Sequence, residues 1–233
     1  MERSMTIGVI LSGAGHLDGS ELHEAVLVLL AIAQQGCTAK IYAPEIPLKE
    51  IDHKTKQATG AERSVLKEAA RIARGDIHDL AQAGGTDVDG WILPGGNGAA
   101  KNLCDFASKG AAGTVNKEVN RVMRGAFAAR TPVGACCIAP VVLGLVAKGS
   151  STKLRLTVGD DKDTAKQLVA MGHTHIDTAV DDVVVDLDRK VVTTPAYMYD
   201  ASIVDVQKGI DKMVRQVIAW SREELSAPRN MPR

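Results

Sequence analysis

The stretch TPVGACCIAP, Thr131 to Pro140, decides how the rest of the chain is read. Its first half is apolar, as a buried strand requires, and its second half leads through small residues into the helical pattern PVVLGLV. A strand that runs straight into a helix turns at the carboxyl edge of a sheet, where open α/β folds gather their ligands. Cys136 and Cys137 occupy that turn. In a strand–nucleophile–helix elbow the central residue is strained, and small residues are needed two before and two after it to clear strand and helix. With Cys136 at the centre the flanks are Gly134 and Ile138, and Ile138 is too bulky. With Cys137 they are Ala135 and Ala139, both small, so the test selects Cys137. A thiol there gains thiolate character from the helix dipole and unpaired backbone N–H groups. The same groups, beginning with that of Ile138, can hold an oxyanion. The competing reading is two small residues packed where sheet meets helix, since free cysteine is among the most buried residue types.

Outward from the elbow, strand-length apolar runs alternate with longer helical patterns. MTIGVIL (Met5–Leu11), AKIYAP (Ala39–Pro44), the start of DGWILPGG (Asp89–Gly96) and RLTVG (Arg155–Gly159) read as strands. VVVDLDRKVVTT (Val183–Thr194) reads as a hairpin turning at Asp186–Lys190. Helices are expected over Glu21–Gln35, Ser64–Gly75, Thr114–Ala129, Lys162–Met171 and Ser202–Trp220, with a loop over 45–61. The helix from Glu21 is apolar almost all round beyond Glu24 and is expected to be largely buried. The alternation predicts one domain over residues 1–225, a mostly parallel sheet with helices on both faces, followed by a frayed tail at 226–233.

Composition narrows the function classes. The 233 residues carry 28 basic and 28 acidic side chains, with 3% aromatics and no basic block, which argues against nucleic acid or an anionic membrane as partner. Four cysteines, Cys37, Cys104, Cys136 and Cys137, have neither zinc-site nor disulfide-framework spacing, so free thiols in a reducing compartment are expected. The leader MERSM is too short for a signal or transit peptide, and a cytoplasmic protein is the expectation.

Two further features face the elbow in this reading. Gly95, Gly96 and Gly98, in PGGNGAAKN, follow a buried strand and permit close backbone approach to a ligand; the alternative is a tight strand exit needing positive φ. The turn matches neither a P-loop nor a dinucleotide fingerprint. Glu21 and Glu24 lie on one face of the first helix; Glu21 suits a cap, whereas Glu24 is followed by unbroken apolar residues that would desolvate it and raise its pKa. A solvated Glu24 at the edge of the helix is the alternative. No histidine follows Cys137 or lies in TTPAYMYD (Thr193–Asp200), which disfavours a Cys–His–Glu hydrolase. His16 and His23 are near the first strand's exit and could approach the site, while His173 and His175 alternate on an expected strand and read as structural or surface residues.

These residues carry a resemblance. ACCIAP after LPGGNGAAKNL, with an early helix glutamate, resembles the class I glutamine amidotransferase-like superfamily and its cysteine branch related to PfpI and the Parkinson-associated deglycase. GVILSGAGHLDGSELHEAVLVLLAI, PGGNGAAKNLCDFA and VDDVVVDLDRKVVTTPAYM are similar to the ElbB glyoxalase family, and the matching segments span most of residues 6–215. The resemblance implies a flavodoxin-like three-layer sandwich with a cysteine elbow. Its nucleophile falls on Cys137 and its paired glutamate on Glu24, with Glu21 one turn away as a rival and Cys136 incidental. Gly95, Gly96 and Ile138 are the expected oxyanion donors, with Asn97 as a secondary candidate. It further implies conversion of glyoxal or another small 2-oxoaldehyde to the hydroxy acid, without metal or other cofactor, by a homodimer. The alternatives are a non-catalytic thiol sensor or scaffold linked to isoprenoid biosynthesis, and amidotransferase-type ammonia chemistry.

Overall fold

Residues 4–226 are described by the structure, a computed structural model. The first half runs β1 (Thr6–Ile10), α1 (Leu22–Gln34), β2 (Thr38–Ala43), β3 (Pro47–Ile51), β4 (Ala58–Ser64), α2 (Val65–Ile72), β5 (His78–Asp79) and β6 (Gly90–Leu93). Then follow α3 (Asn97–Lys101), α4 (Phe106–Lys109), α5 (Lys117–Ala129), β7 (Val133–Cys136), α6 (Pro140–Ala147) and β8 (Arg155–Leu156). The chain closes with α7 (Lys162–Ala170), β9 (Thr174–His175), β10 (Val184–Asp186), β11 (Val191–Thr194) and α8 (Ile203–Ser226).

Seven strands form one sheet in the order β10-β11-β7-β6-β1-β2-β5, parallel throughout except where β10 meets β11. Alternation of side chains across the strands feeds two apolar layers. Ile7, Val9, Ile92 and Val192 pack with α1, α2 and α8, whereas Ile10, Trp91, Leu93, Val133 and Ala135 pack with α5, α6 and α7. With both faces covered, the strands read as continuous apolar runs, as in parallel sheets generally. The result is the three-layer α/β sandwich that the alternation and the resemblance implied. Gly8 on β1 leaves room for the fully buried Trp91, because a Cβ there would come within 2.5 Å of the indole ring.

Sheet order also places the site. From β1 the chain steps outward to β2 and β5, then returns to the other side of β1 for β6, β7 and β11. Beside β1 the winding reverses, and such a switch point opens a crevice at the carboxyl ends of the strands. The loop after β1, the glycine turn after β6, the cysteine turn after β7 and the Pro195 turn after β11 all leave the sheet at that end.

Four expectations differ from the structure. Residues 45–61, expected as a loop, begin the antiparallel hairpin β3–β4, whose outer positions are solvated and whose strongest apolar anchor is Leu48. It is tied down by charge: the Arg63 guanidinium meets Asp18, Glu50 and Glu68 at 2.8, 3.2 and 2.7 Å. Helix α1 is not buried all round; Leu22, Val26 and Leu30, spaced at four, are 46%, 54% and 47% exposed. Helix α5 starts only at Lys117, where the Asn116 side chain accepts from the Glu118 and Val119 N–H groups. The RLTVG strand shortens to β8 and pairs with β9 outside the main sheet. The tail expected to fray lies, for residues 227–233, outside the described residues.

Candidate active site at the cysteine elbow

Cys137 holds φ +59°, a left-handed conformation that non-glycine residues rarely adopt, while Cys136 is the last residue of β7. The Cys137 N–H donates to the Thr194 carbonyl of β11 at 3.0 Å, and the Ala139 N–H donates to the Cys136 carbonyl at 3.0 Å, closing the turn before Pro140 opens α6. Ala135 and Ala139 are completely buried where strand and helix converge. The small-residue test thus lands on the strained residue. Cys137 is 8% exposed and opens onto a cleft of about 670 Å³; Cys136 is fully buried behind it, on the opposite face of β7 from Ala135.

Glu24 reaches this turn from α1 and is wholly buried. Its Oε1 accepts from the Tyr197 N–H at 3.1 Å and its Oε2 from the Gly95 N–H at 3.0 Å. The Cys136 thiol points to the same Oε2 at 3.7 Å, and the Cys137 sulfur lies beside the carboxyl, the two flanking the position a Gly95 Cβ would take at 2.9 and 2.6 Å. Burial, reinforced by the Glu21 carboxylate, pushes the Glu24 pKa from 4.5 up to about 7. Burial likewise pushes the Cys137 thiol up, and an ionised Glu24 pushes it further, while the N–H groups of Gly96 and Ile138 pull it down. Protonation of Glu24 removes the carboxylate's push, but burial, the larger cause, keeps the thiol raised. Near neutrality Glu24 is therefore the member of the pair that gives up its proton first.

Glu21 caps α1, its Oε2 accepting from the Glu24 N–H at 2.7 Å, and this removes it as a rival for contact with the sulfur. The glycines divide their work. Gly95 gives its N–H to Glu24, and a Cβ there would lie 2.6 Å from Glu24 Oε2 and 2.9 Å from the Cys137 sulfur. Gly96, at φ +92°, leaves its N–H facing Cys137, as does Ile138. Asn97 is exposed at the cleft, with its N–H donating to the His16 carbonyl at 2.8 Å.

His16 and His23 both border the cleft, and His23 Nδ1 lies 3.0 Å from the Tyr197 hydroxyl, so neither ring is hydrogen-bonded to the sulfur. His173 and His175 are structural: His173 Nε2 bonds the Gly144 carbonyl at 2.8 Å, and His175 Nε2 accepts from the Val158 N–H at 3.2 Å. Among the described residues no group of three His, Cys, Asp or Glu side chains is arranged to hold a metal ion. Tyr197 was not singled out by sequence, although its N–H holds Glu24 and the preceding Ala196 sits at φ +47°. The only local signal is Pro195, which ends β11 in TTPAYM.

Glu24 also gives stability a pH dependence. Its folded pKa lies above the unfolded value, so between about pH 4.5 and 7 the unfolded chain releases a proton that the folded chain keeps. Stability is expected to fall across that window by about 3 kcal/mol. Glu24→Gln should flatten the slope in urea titrations at successive pH values, and an unchanged slope would assign it elsewhere.

No family model matches the chain. A curated human relative, glutamine amidotransferase-like class 1 domain-containing protein 3, mitochondrial, is 41% identical over 223 residues, covering 91% of this chain and 82% of its own length. The chain belongs to the glutamine amidotransferase-like class 1 family. A solved amidotransferase-like relative, an isoprenoid biosynthesis protein with an amidotransferase-like domain from Ehrlichia chaffeensis, superposes with a TM-score of 0.87 at 33% identity, over 93% of this chain and 99% of that one. Drosophila melanogaster DJ-1beta shares the fold at TM-score 0.53 and 18% identity, over 97% and 100% of the two chains. The amidotransferase-like resemblance of the sequence thus holds at the level of family, and the likeness to the DJ-1 and PfpI branch holds at the level of fold. The cytoplasmic expectation is corrected: the curated amidotransferase-like relative is mitochondrial, which points away from the cytoplasm.

Proposed function

We propose that the protein is a cofactor-independent glyoxalase that converts glyoxal, or another small 2-oxoaldehyde, to the hydroxy acid. The observation that carries this reading is the buried Glu24 carboxyl, with its pKa raised to about 7, beside a strained Cys137 that also faces two N–H donors. A group that exchanges protons near neutrality beside a nucleophile is what an internal oxidation–reduction of a dialdehyde requires.

In the first step the Cys137 sulfur bonds one aldehyde carbon, and the C=O π pair moves to oxygen, which takes a proton to give a hemithioacetal. The N–H groups of Gly96 and Ile138 stabilise the developing oxyanion. Glu24 then removes the proton from the sulfur-bearing carbon and returns one to the neighbouring carbon. The former is thereby oxidised to a thioester and the latter reduced to an alcohol, with no external electron acceptor. Water hydrolyses the thioester, releasing glycolate and the thiol. Gly95 serves in this scheme by holding Glu24 rather than the oxyanion.

The test is glycolate production from glyoxal followed by proton NMR across pH. Wild type should gain activity as pH rises through about 7, where the Cys137–Glu24 pair gives up its first proton. Glu24→Gln should lose about 10²–10⁴-fold, the range of a general acid–base group. Cys136→Ser should retain glycolate formation. No glycolate from wild type at any pH would overturn the glyoxalase reading and favour a thiol sensor or scaffold.

A further inference from the structure

The cleft has a polarity of charge that glyoxal alone does not use. At about 120 Å³, taking roughly 30 Å³ per water-sized group, a four-heavy-atom dialdehyde fills only a small part of about 670 Å³. The cleft is bordered by Glu21 and Asp200, by the rings of Tyr197 and Tyr199, and by His16, His23 and Asn97, and among the described residues no Lys or Arg lines it. Both tyrosine hydroxyls are engaged, with His23 and with the Thr178 carbonyl at 2.9 Å. The lysine whose charge reaches Tyr199, Lys162, is paired with Asp177 at 2.6 Å. The floor has the opposite character, for there the Gly96 and Ile138 N–H groups converge on Cys137 at the start of α6.

We propose that the cleft is a charge filter: it admits carbonyl compounds with a neutral or cationic tail, carbonyl oxygen down and tail toward Glu21 and Asp200, and turns away those bearing a carboxylate. This rests on the proposed reading of Cys137 as the reacting group. A tail carboxylate would be drawn from water into the field of two carboxylates with only the His16 and His23 imidazoles and the Asn97 amide to meet it, whereas an ammonium group gains the carboxylates' field and the tyrosine faces. The filter and the oxyanion donors therefore act on different ends of one substrate.

The experiment does not depend on turnover. Cys137 would be labelled by methanethiosulfonate reagents with neutral, sulfonate-bearing and trimethylammonium-bearing tails, located by tandem mass spectrometry to separate Cys137 from Cys136. Each rate is divided by that of 2-mercaptoethanol thiolate, which carries the same charge on sulfur. At low ionic strength the cationic reagent should exceed the anionic one by about ten-fold, and the gap should shrink in 0.5 M salt. Asp200→Asn, an exposed substitution, should narrow the gap by about two- to three-fold, and Glu21→Gln should narrow it independently. Equal or faster normalised labelling by the anionic reagent would overturn the proposal, as would a gap unmoved by either variant or a Cys137 that none of the reagents reaches. The predicted ordering without glycolate formation would support the filter while sinking the glyoxalase reading.

Discussion

Cys137→Ser is expected to abolish glycolate formation, with a loss of at least about 10⁴-fold. A covalent route fails when its nucleophile is replaced by a hydroxyl of much higher pKa, because the neighbouring base cannot ionise it at neutral pH. The variant should fold: serine is smaller than cysteine, and the N–H to Thr194 contact that fixes the elbow belongs to the backbone. Far-ultraviolet circular dichroism and the unfolding midpoint serve as controls, and proton NMR of glyoxal turnover is the readout. Full activity in this variant would remove the covalent scheme outright.

Gly95→Ala should be as severe for a different reason. Its added methyl group would overlap the Cys137 Cβ and sit 2.6 Å from Glu24 Oε2, with Cys137 Sγ at 2.9 Å. Those atoms cannot yield separately. Glu24 is fixed by Tyr197 from the other side, and Cys137 is held between β7 and α6. Overpacking of this kind costs about 1–3 kcal/mol in stability, and relief by separating carboxyl from sulfur would cost the activity itself, since misplacement by about 1 Å can lose about 10²-fold. The expected result is a folded, destabilised protein in which both turnover and Cys137 alkylation fall. Normal turnover would mean that the glycine turn is not packed against the working groups.

Much of this site was legible because its decisive constraints are local. Ala135 and Ala139 select Cys137 over Cys136 within five residues of sequence, and φ +59° falls on the selected residue. The fold class was legible for the same reason, since period-2 apolar runs and glycine-stopped helices are short-range patterns. Glu24 was half legible: the apolar run after it signals desolvation, but its partners lie 71 and 173 residues away. Nothing local tells Gly95 from Gly96, yet one positions the acid and the other faces the sulfur. The hairpin from Pro47 to Ser64 escaped because its strands are mostly solvated and its anchors are charges, Arg63 to Asp18 across 45 residues.

Sequence alone thus determined the alternating architecture, the elbow and which cysteine stands at its centre, because each depends on side-chain size and periodicity along a continuous segment. Tertiary structure decided that Glu24 rather than Glu21 meets the sulfur, that Tyr197 and Gly95 hold it there, and that acidic and aromatic side chains border the cleft. Those outcomes follow from the reversal of winding beside β1, which brings the ends of β1, β6, β7 and β11 to one crevice. A carboxyl's pKa and a cleft's charge are set by what surrounds them in space, and only the folded chain supplies those neighbours.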